Sequence, residues 1–276
     1  MRTIAVFLLA LSTSASAQQM RKLVWADEFN GPQGAAVDST KWAFDTGGEG
    51  WGNNELEFYT DSTKNAAMDG AGNLVITAIK EMLPKNYRCW YGQCQYTSAR
   101  LKTQGKFEQA YGRFEARIKI PYGHGLWPAF WMLGNNIDTA KWPNCGEIDI
   151  MENIGREPSM IHGTVHGPGY SANGIGAAYT LSRGAFSDNF YIFGVEWEPN
   201  VIREYVDGNL FQTTTRKDLP ADSSWVFDHP FFMVLNVAVG GDWPGSPDST
   251  TVFPQKMYID YIRVYRLRLG KEPRKV

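Results

Sequence analysis

Apolar and polar residues alternate along most of this chain. "RFEARIKI" sets Phe114, Ala116, Ile118 and Ile120 on one side and Arg113, Glu115, Arg117 and Lys119 on the other. A period of two is that of a strand with one face in the core. "NFYIFGVEWEPNVIREYVDGNLF" predicts a strand, a turn at Pro199-Asn200, a strand, a turn at Asp207-Gly208 and a third strand. "LVITAI", "FFMVLNVAV" and "MYIDYIRVYRL" predict more strands, and no long stretch carries the helical period. "LVWADEF" and "YIDYIRVY", near the two ends, are too apolar to be loose, so the first and last strands are expected in the same sheets. No internal repeat, linker or low-complexity segment interrupts the pattern. The expected fold is one all-β domain, a two-sheet antiparallel β-sandwich.

The first residues depart from this pattern. "MRTIAVFLLALSTSASAQQ" has Arg2, an apolar run through Leu11, and Ala15-Ser16-Ala17 in the shape of a leader-cleavage site. The run is shorter than the roughly 20 apolar residues needed to span a bilayer. Residues 1–17 are therefore read as a signal peptide, 18–270 as the folded domain and 271–276 as a short basic tail. The mature chain is expected to be secreted, extracellular or periplasmic, with no membrane attachment. Export permits disulfides, so Cys89 and Cys94 in "RCWYGQC" are expected to pair. Cys145 lies two residues before Glu147, but its apolar, strand-like setting suits a buried structural thiol better than a nucleophile. A net charge of -2 gives no electrostatic basis for binding nucleic acid or an acidic membrane.

"GEIDIMEN", residues 146–153, carries the chemistry. In a helix, Glu147 and Glu152 would point apart. In a regular strand, Glu147 and Asp149 share a face and Glu152 falls on the other. One extra residue, a β-bulge at Ile150-Met151, returns Glu152 to the acid face and leaves Ile148, Ile150 and Met151 for the core. Adjacent acids repel and give folding nothing. A solvated charged face is the ordinary alternative, and the apolar neighbours argue against it. Such a row suits either a cation or the hydrolysis of a glycosidic bond by two carboxyls. The Cα atoms of Glu147 and Glu152 would stand on the order of 13 Å apart on a strand. A retaining glycosidase needs its carboxyls about 5–5.5 Å apart, so the sheet must curve to bring the side-chain tips together.

Aromatic residues are 14% of the chain, and several sit where a sugar could use them. Ring faces bury the apolar side of a pyranose while hydroxyls take hydrogen bonds. Trp127 and Trp131 in "GHGLWPAFWML", Trp243 in "GGDWPG", and Trp51, Asn53 and Asn54 in "GEGWGNNELEFYT" are the candidates. Any one of them alone is as readily a core residue.

The chain resembles glycoside hydrolase family sixteen, and within it the bacterial laminarinases, which are endo-β-1,3-glucanases. The likeness runs from "LVWADEFNG" to "YIDYIRVY" and includes "GNNELEFYT", "SARLKTQGKFEQAYGRFEARIKIP", "GLWPAFWML", "GEIDIMENIG", "GTVHG", "FGVEWEPN" and "VLNVAVGGDWPG". The bulged motif, with Met151 inserted, looks like the laminarinase branch; the lichenases have the unbulged form. The resemblance implies a β-jelly-roll, concanavalin A-like, with a concave substrate cleft. It implies Glu147 as nucleophile, Glu152 as general acid/base and Asp149 as the helper between them. It implies that Asn54 and Arg100 bind sugar on the non-reducing side of the cut. Trp127, Trp131 and Trp243 would stack on or wall the cleft, and His166 would sit beside the acids; an ordinary core histidine is the alternative, and His162 has weaker support. No catalytic cofactor is implied. A structural calcium is, held by the Asp260 side chain with backbone oxygens around Glu28 and Gly72. The expected partner is a β-glucan, met by a monomer. Rival readings are the same chemistry on mixed-linkage glucan or a galactan, transglycosylation, or a polysaccharide-binding protein without turnover.

Overall fold

The structure, a computed structural model, describes residues 21–267. The leader expected over 1–17 and the tail over 271–276 lie outside the described residues. The first strands are β1 (Arg21–Asp27), β2 (Ala43–Asp45), β3 (Glu57–Tyr59), β4 (Ala66–Met68), β5 (Leu74–Lys80) and β6 (Tyr96–Ser98). Then come β7 (Arg100–Lys102), β8 (Gly112–Lys119), β9 (Leu126–Gly134), the short helix α1 (Ile137–Ala140), β10 (Glu147–Glu152) and β11 (Met160–His166). The chain continues through β12 (Ile175–Thr180), β13 (Tyr191–Glu198), β14 (Val201–Val206), β15 (Asn209–Thr215), β16 (Phe231–Val239) and β17 (Gln255–Leu267).

These strands form two sheets, a β-sandwich of the jelly-roll type. One is seven-stranded, in the order β12-β11-β10-β9-β16-β7-β2. The other has ten strands: β15-β14-β13-β8-β17-β5-β6-β3, with β1 on β17 and β4 on β5. The first and last strands lie in one sheet, as expected, and there they pair directly, Leu23 with Tyr265 and Asp27 with Ile262. Pairing is antiparallel except between β3 and β6, where Glu57 faces Tyr96 in a parallel match. That exception follows from the chain leaving β3 and returning through the β4–β5 hairpin before β6 is laid down.

Alternation decides what each face does. Phe114, Ala116 and Ile118 of β8 are fully buried between the sheets, as are Phe193, Val195 and Trp197 of β13. The turns fall at Pro199-Asn200 and Asp207-Gly208 as expected, with Asn200 and Asp207 in the left-handed region. The polar side of β8 differs from a simple solvated face. Arg113 and Glu115 are buried there, because Arg113 pairs with Glu115 at 2.7 Å and Glu196 at 3.3 Å and lies over the ring of Tyr205.

One buried group sits oddly in the core. Glu204 of β14 points between the sheets, fully buried, and among the described residues neither of its carboxyl oxygens has a hydrogen-bond partner. It occupies the space that Gly163 of β11 leaves open: a Cβ on Gly163 would lie 2.0 Å from Glu204 Oε2.

Candidate active site

The register around β10 contains the extra residue that the acid spacing requires. Against β9, Ile148 faces Met132, Asp149 faces Trp131, Met151 faces Phe130 and Glu152 faces Ala129. Ile150 is the residue without a partner. Against β11, Glu147 faces His166, Asp149 faces Thr164 and Glu152 faces His162. Residues directly opposite share a face, so all three acids lie on one side with Trp131, His162 and His166. Ile148, Ile150 and Met151 are fully buried on the other. A cleft of about 1120 Å³ crosses the acid face and is lined by Glu147, Asp149 and Glu152, with Trp127, Trp131 and His166 beside them.

Each acid has a partner. Trp142 Nε1 donates to Glu147 Oε2 at 2.8 Å, and Trp127 Nε1 donates to Glu152 Oε1 at 2.9 Å. His166 Nε2 stands 3.1 Å from Asp149 Oδ2, while its Nδ1 lies 2.8 Å from the carbonyl of Ser171. Both ring nitrogens thus face acceptors, which suits the imidazolium.

The charges follow from this geometry. Burial, then the charge of Asp149, pushes the Glu152 carboxyl up to about 8. Burial, then the charge of Glu147, pushes Asp149 up to about 7. Burial raises Glu147 too, opposed by the charge of His166 and by hydrogen bonds from Asp149 and Trp142. For His166, burial disfavours the cation, but Asp149 and Glu147 outweigh it and carry the ring up to about 10. At neutral pH Glu152 therefore holds a proton and His166 is charged. Cys145 is fully buried, and burial with the charge of Glu147 pushes its thiol up to about 11, so it is no nucleophile.

The wall on the β7 side is built around one cation. The Arg100 guanidinium lies between the rings of Trp51, at 4.7 Å, and Trp131, at 4.8 Å. Asp45 holds its Nε at 3.1 Å. Trp131 Nε1 donates to Asn236 Oδ1 at 2.7 Å, Asn236 Nδ2 to the Tyr59 hydroxyl at 3.1 Å, and Tyr59 to Glu55 Oε2 at 3.0 Å. At the other wall Trp243 meets Trp127 edge-on at 5.4 Å and His162 at 5.0 Å.

The family model for glycosyl hydrolases family 16 matches residues 51–263, which take in every residue that lines this cleft. The chain belongs to glycosyl hydrolase family 16. It is 41% identical over 253 residues to the beta-glucanase of Rhodothermus marinus, covering 89% of this chain and 85% of that protein. The X-ray structure of the endo-beta-1,3-glucanase from Pyrococcus furiosus is similar at a TM-score of 0.85 and 50% identity, over 91% of this chain and 97% of that one. The laminarinase catalytic domain from Thermotoga maritima MSB8 is similar at 0.83 and 49%, over 90% and 99%.

In this family 16 glycoside hydrolase, most of the residues singled out from the sequence meet in the cleft: Glu147, Asp149, Glu152, Arg100, Trp127, Trp131, His166 and Trp243. Asn54 does not line it. Its side chain is exposed and donates to both oxygens of Asp242, at 3.0 and 3.1 Å, and it is Asp242 that faces the cleft. Sequence reading missed Trp142, Glu55, Asn236 and Asp242. Trp142 had a readable signal, since it lies in the Pro/Asn/Gly stretch just before the acids, a setting like that of Trp243.

The strand carrying Asp260 belongs to the ten-stranded sheet, not to the sheet that carries the acids. On β17, Ile259 pairs with Leu74 of β5 and Ile262 with Asp27 of β1, so Asp260 lies where Gly72 and Glu28 approach the same strand. Oxygen donors of this kind suit calcium. The charge is already matched, however: Asp260 pairs with Arg117 at 2.6 Å, and Glu28 takes both arms of Arg263 at 2.8 Å. Among the described residues, the group of metal-ligand atoms that lies closest together is Glu147, Asp149 and His166, within 4.8 Å of one another, inside the cleft.

Proposed function

We propose that the chain is a retaining endo-glycosidase that hydrolyses β-1,3-glucosidic bonds in laminarin-type glucans. The observation that carries this reading is the bulged row, with Glu152 pushed up to about 8 beside Glu147 and Asp149 in a tryptophan-walled cleft. Glu147 attacks the anomeric carbon as Glu152 gives its proton to the departing oxygen, and the bond to the leaving chain breaks. Forming the glycosyl ester removes the charge of Glu147. Glu152, now a carboxylate, takes a proton from water, the water oxygen bonds to the anomeric carbon, and the ester bond breaks. Asp149 hydrogen-bonds Glu147 and favours its ionised form. His166 steadies the charge of both. The planar rings of Trp127, Trp131 and Trp243 supply stacking faces, and Arg100 supplies a fork of donors.

The leader-like start of the sequence supports export, and among the described residues no helix is long and apolar enough to cross a membrane. The same reading places a calcium at Asp260, Glu28 and Gly72, where it would exchange the Arg117 pair for the ion and serve stability only.

The test is reducing-end release by the mature chain on unbranched β-1,3-glucan, laminarin, mixed-linkage glucan, β-1,4-glucan and agarose. Rapid release from the first two supports the reading. Cleavage of agarose alone keeps the mechanism and overturns the substrate. Binding without release from any of them overturns the enzymatic reading.

A further inference from the structure

The loop between β2 and β3, residues 46–56, brings Trp51, Gly52, Asn53 and Glu55 to the cleft. Its backbone is unusual. Trp51 and Asn54 have φ of 49° and 56°, and Gly47, Gly50 and Gly52 are also in the positive region. Residues with a Cβ hold such conformations only where their surroundings over-determine them.

The surroundings are a second loop, closed by the Cys89–Cys94 disulfide. Within it Cys89 and Gly92 exchange both backbone hydrogen bonds at 2.9 Å. From this base Trp90 Nε1 donates to the Glu55 carbonyl at 2.7 Å and the Tyr91 hydroxyl to the Leu56 carbonyl at 2.6 Å. The Trp90 backbone N–H donates to the Gly48 carbonyl at 2.9 Å. Two glycines allow the close approach. A Cβ on Gly48 would lie 2.6 Å from Cys89 Sγ, and one on Gly50 would lie 2.9 Å from the Trp90 ring. Trp90 is itself 52% exposed, so core packing does not account for it.

We propose that Trp90 and Tyr91, fixed by the Cys89–Cys94 bridge, are positioning residues that hold residues 50–55 in their sugar-binding shape and thereby set the affinity for long glucan chains. Neither touches the cleft. Their effect passes through the carbonyls of Glu55 and Leu56, and it falls on Trp51 and Asn53 rather than on the reacting carboxyls. The substrate in this statement rests on the function proposed above; the support of the loop does not.

Three variants separate the parts: Trp90→Ala removes the prop, Trp90→Phe keeps an aromatic ring, smaller and without the N–H, and Tyr91→Phe loses the second bond. Two measurements are made on the full chain. The first is hydrogen exchange at the Asn53 and Glu55 amides, which bond to the Gly50 carbonyl at 2.9 and 3.1 Å. In Trp90→Ala they should exchange about tenfold faster, the scale of one lost hydrogen bond, with the β10 amides unchanged. The second is kinetics on laminarin and on an aryl β-glucoside, whose single sugar fills only the position at the carboxyls. KM on laminarin should rise about tenfold at nearly constant kcat, with the short substrate unaffected. Trp90→Phe and Tyr91→Phe should fall between this and the unmodified chain. Unchanged exchange in Trp90→Ala would show that the loop supports itself and would overturn the proposal. Equal losses on both substrates, in kcat as well as KM, would overturn it too. Should the unmodified chain leave β-1,3-glucan intact, the functional reading fails; the exchange result still decides the support, and affinity is then read on whichever glucan of the panel binds.

Discussion

Trp127 donates its indole hydrogen to Glu152 at 2.9 Å, so an aromatic wall of the cleft also helps to set the charge of an acid. The bond favours the carboxylate and works against burial and Asp149, which together hold Glu152 near 8. In its proposed role Glu152 must be protonated in the free enzyme, so kcat/KM should fall as pH rises through about 8. Trp127→Phe removes the bond, favours the protonated form and should move that limb to higher pH. Asp149→Asn removes a negative charge that raises Glu152 and should move it to lower pH. Profiles of kcat/KM against pH check both, and shifts of the same sign in the two variants would refute the assignment.

Glu147→Ser should lower kcat by on the order of 10⁴-fold or more, with glucan binding retained. Glu152→Gln should lower it by about 10²–10⁴-fold. Single-turnover kinetics with isothermal titration separate rate from binding. Appreciable turnover by Glu147→Ser would take the nucleophile elsewhere.

Among the described residues Glu204 has no hydrogen-bond partner, and burial, then the charges of Asp149 and Glu152, raise its carboxyl well above the usual range. The folded chain therefore keeps a proton that the unfolded chain releases above about pH 4.3, and stability is lost as pH rises past that point. Glu204→Met, of similar length and without the polar atoms, should be more stable by about 2 kcal/mol at pH 8, roughly 5 °C in Tm. The gain should shrink toward pH 4. Calorimetry across this range tests it, and a gain independent of pH would assign the effect to packing alone.

If calcium binds at Asp260, adding it at 100 times Kd should raise stability by about 2.7 kcal/mol, roughly 5–10 °C in Tm, with kcat unchanged. Asp260→Ala should abolish that response. A chelator titration followed by melting decides it: no response in the unmodified chain leaves the place to the Arg117 ion pair.

What could be read in advance was whatever is local. Alternation placed Phe114, Ala116 and Ile118 inside, and the unequal gaps around Asp149 implied the bulge that the β9 register contains. The pairing of Cys89 with Cys94 is likewise a matter of five residues. What could not be read depends on distant segments meeting. Asn54 looked free to hold a sugar, but Asp242, 188 positions away, takes its amide. Glu55 drew no reading from the sequence, yet Tyr59, Asn236 and Trp131 join it into a chain across three segments. Trp90 lay in a stretch read only for its cysteines, because its role is set by which carbonyl it reaches.

All three acids come from one strand of six residues, whereas the groups around them come from β7, β9, β11 and the loops carrying Trp51, Trp142 and Trp243. Under the proposed function, reaction and recognition are therefore encoded separately. A lengthened or exchanged loop alters which polymer fits and leaves the spacing of the carboxyls untouched, because that spacing is carried by one short run of backbone. A lineage built this way can change its diet by altering its rim, without reinventing its chemistry.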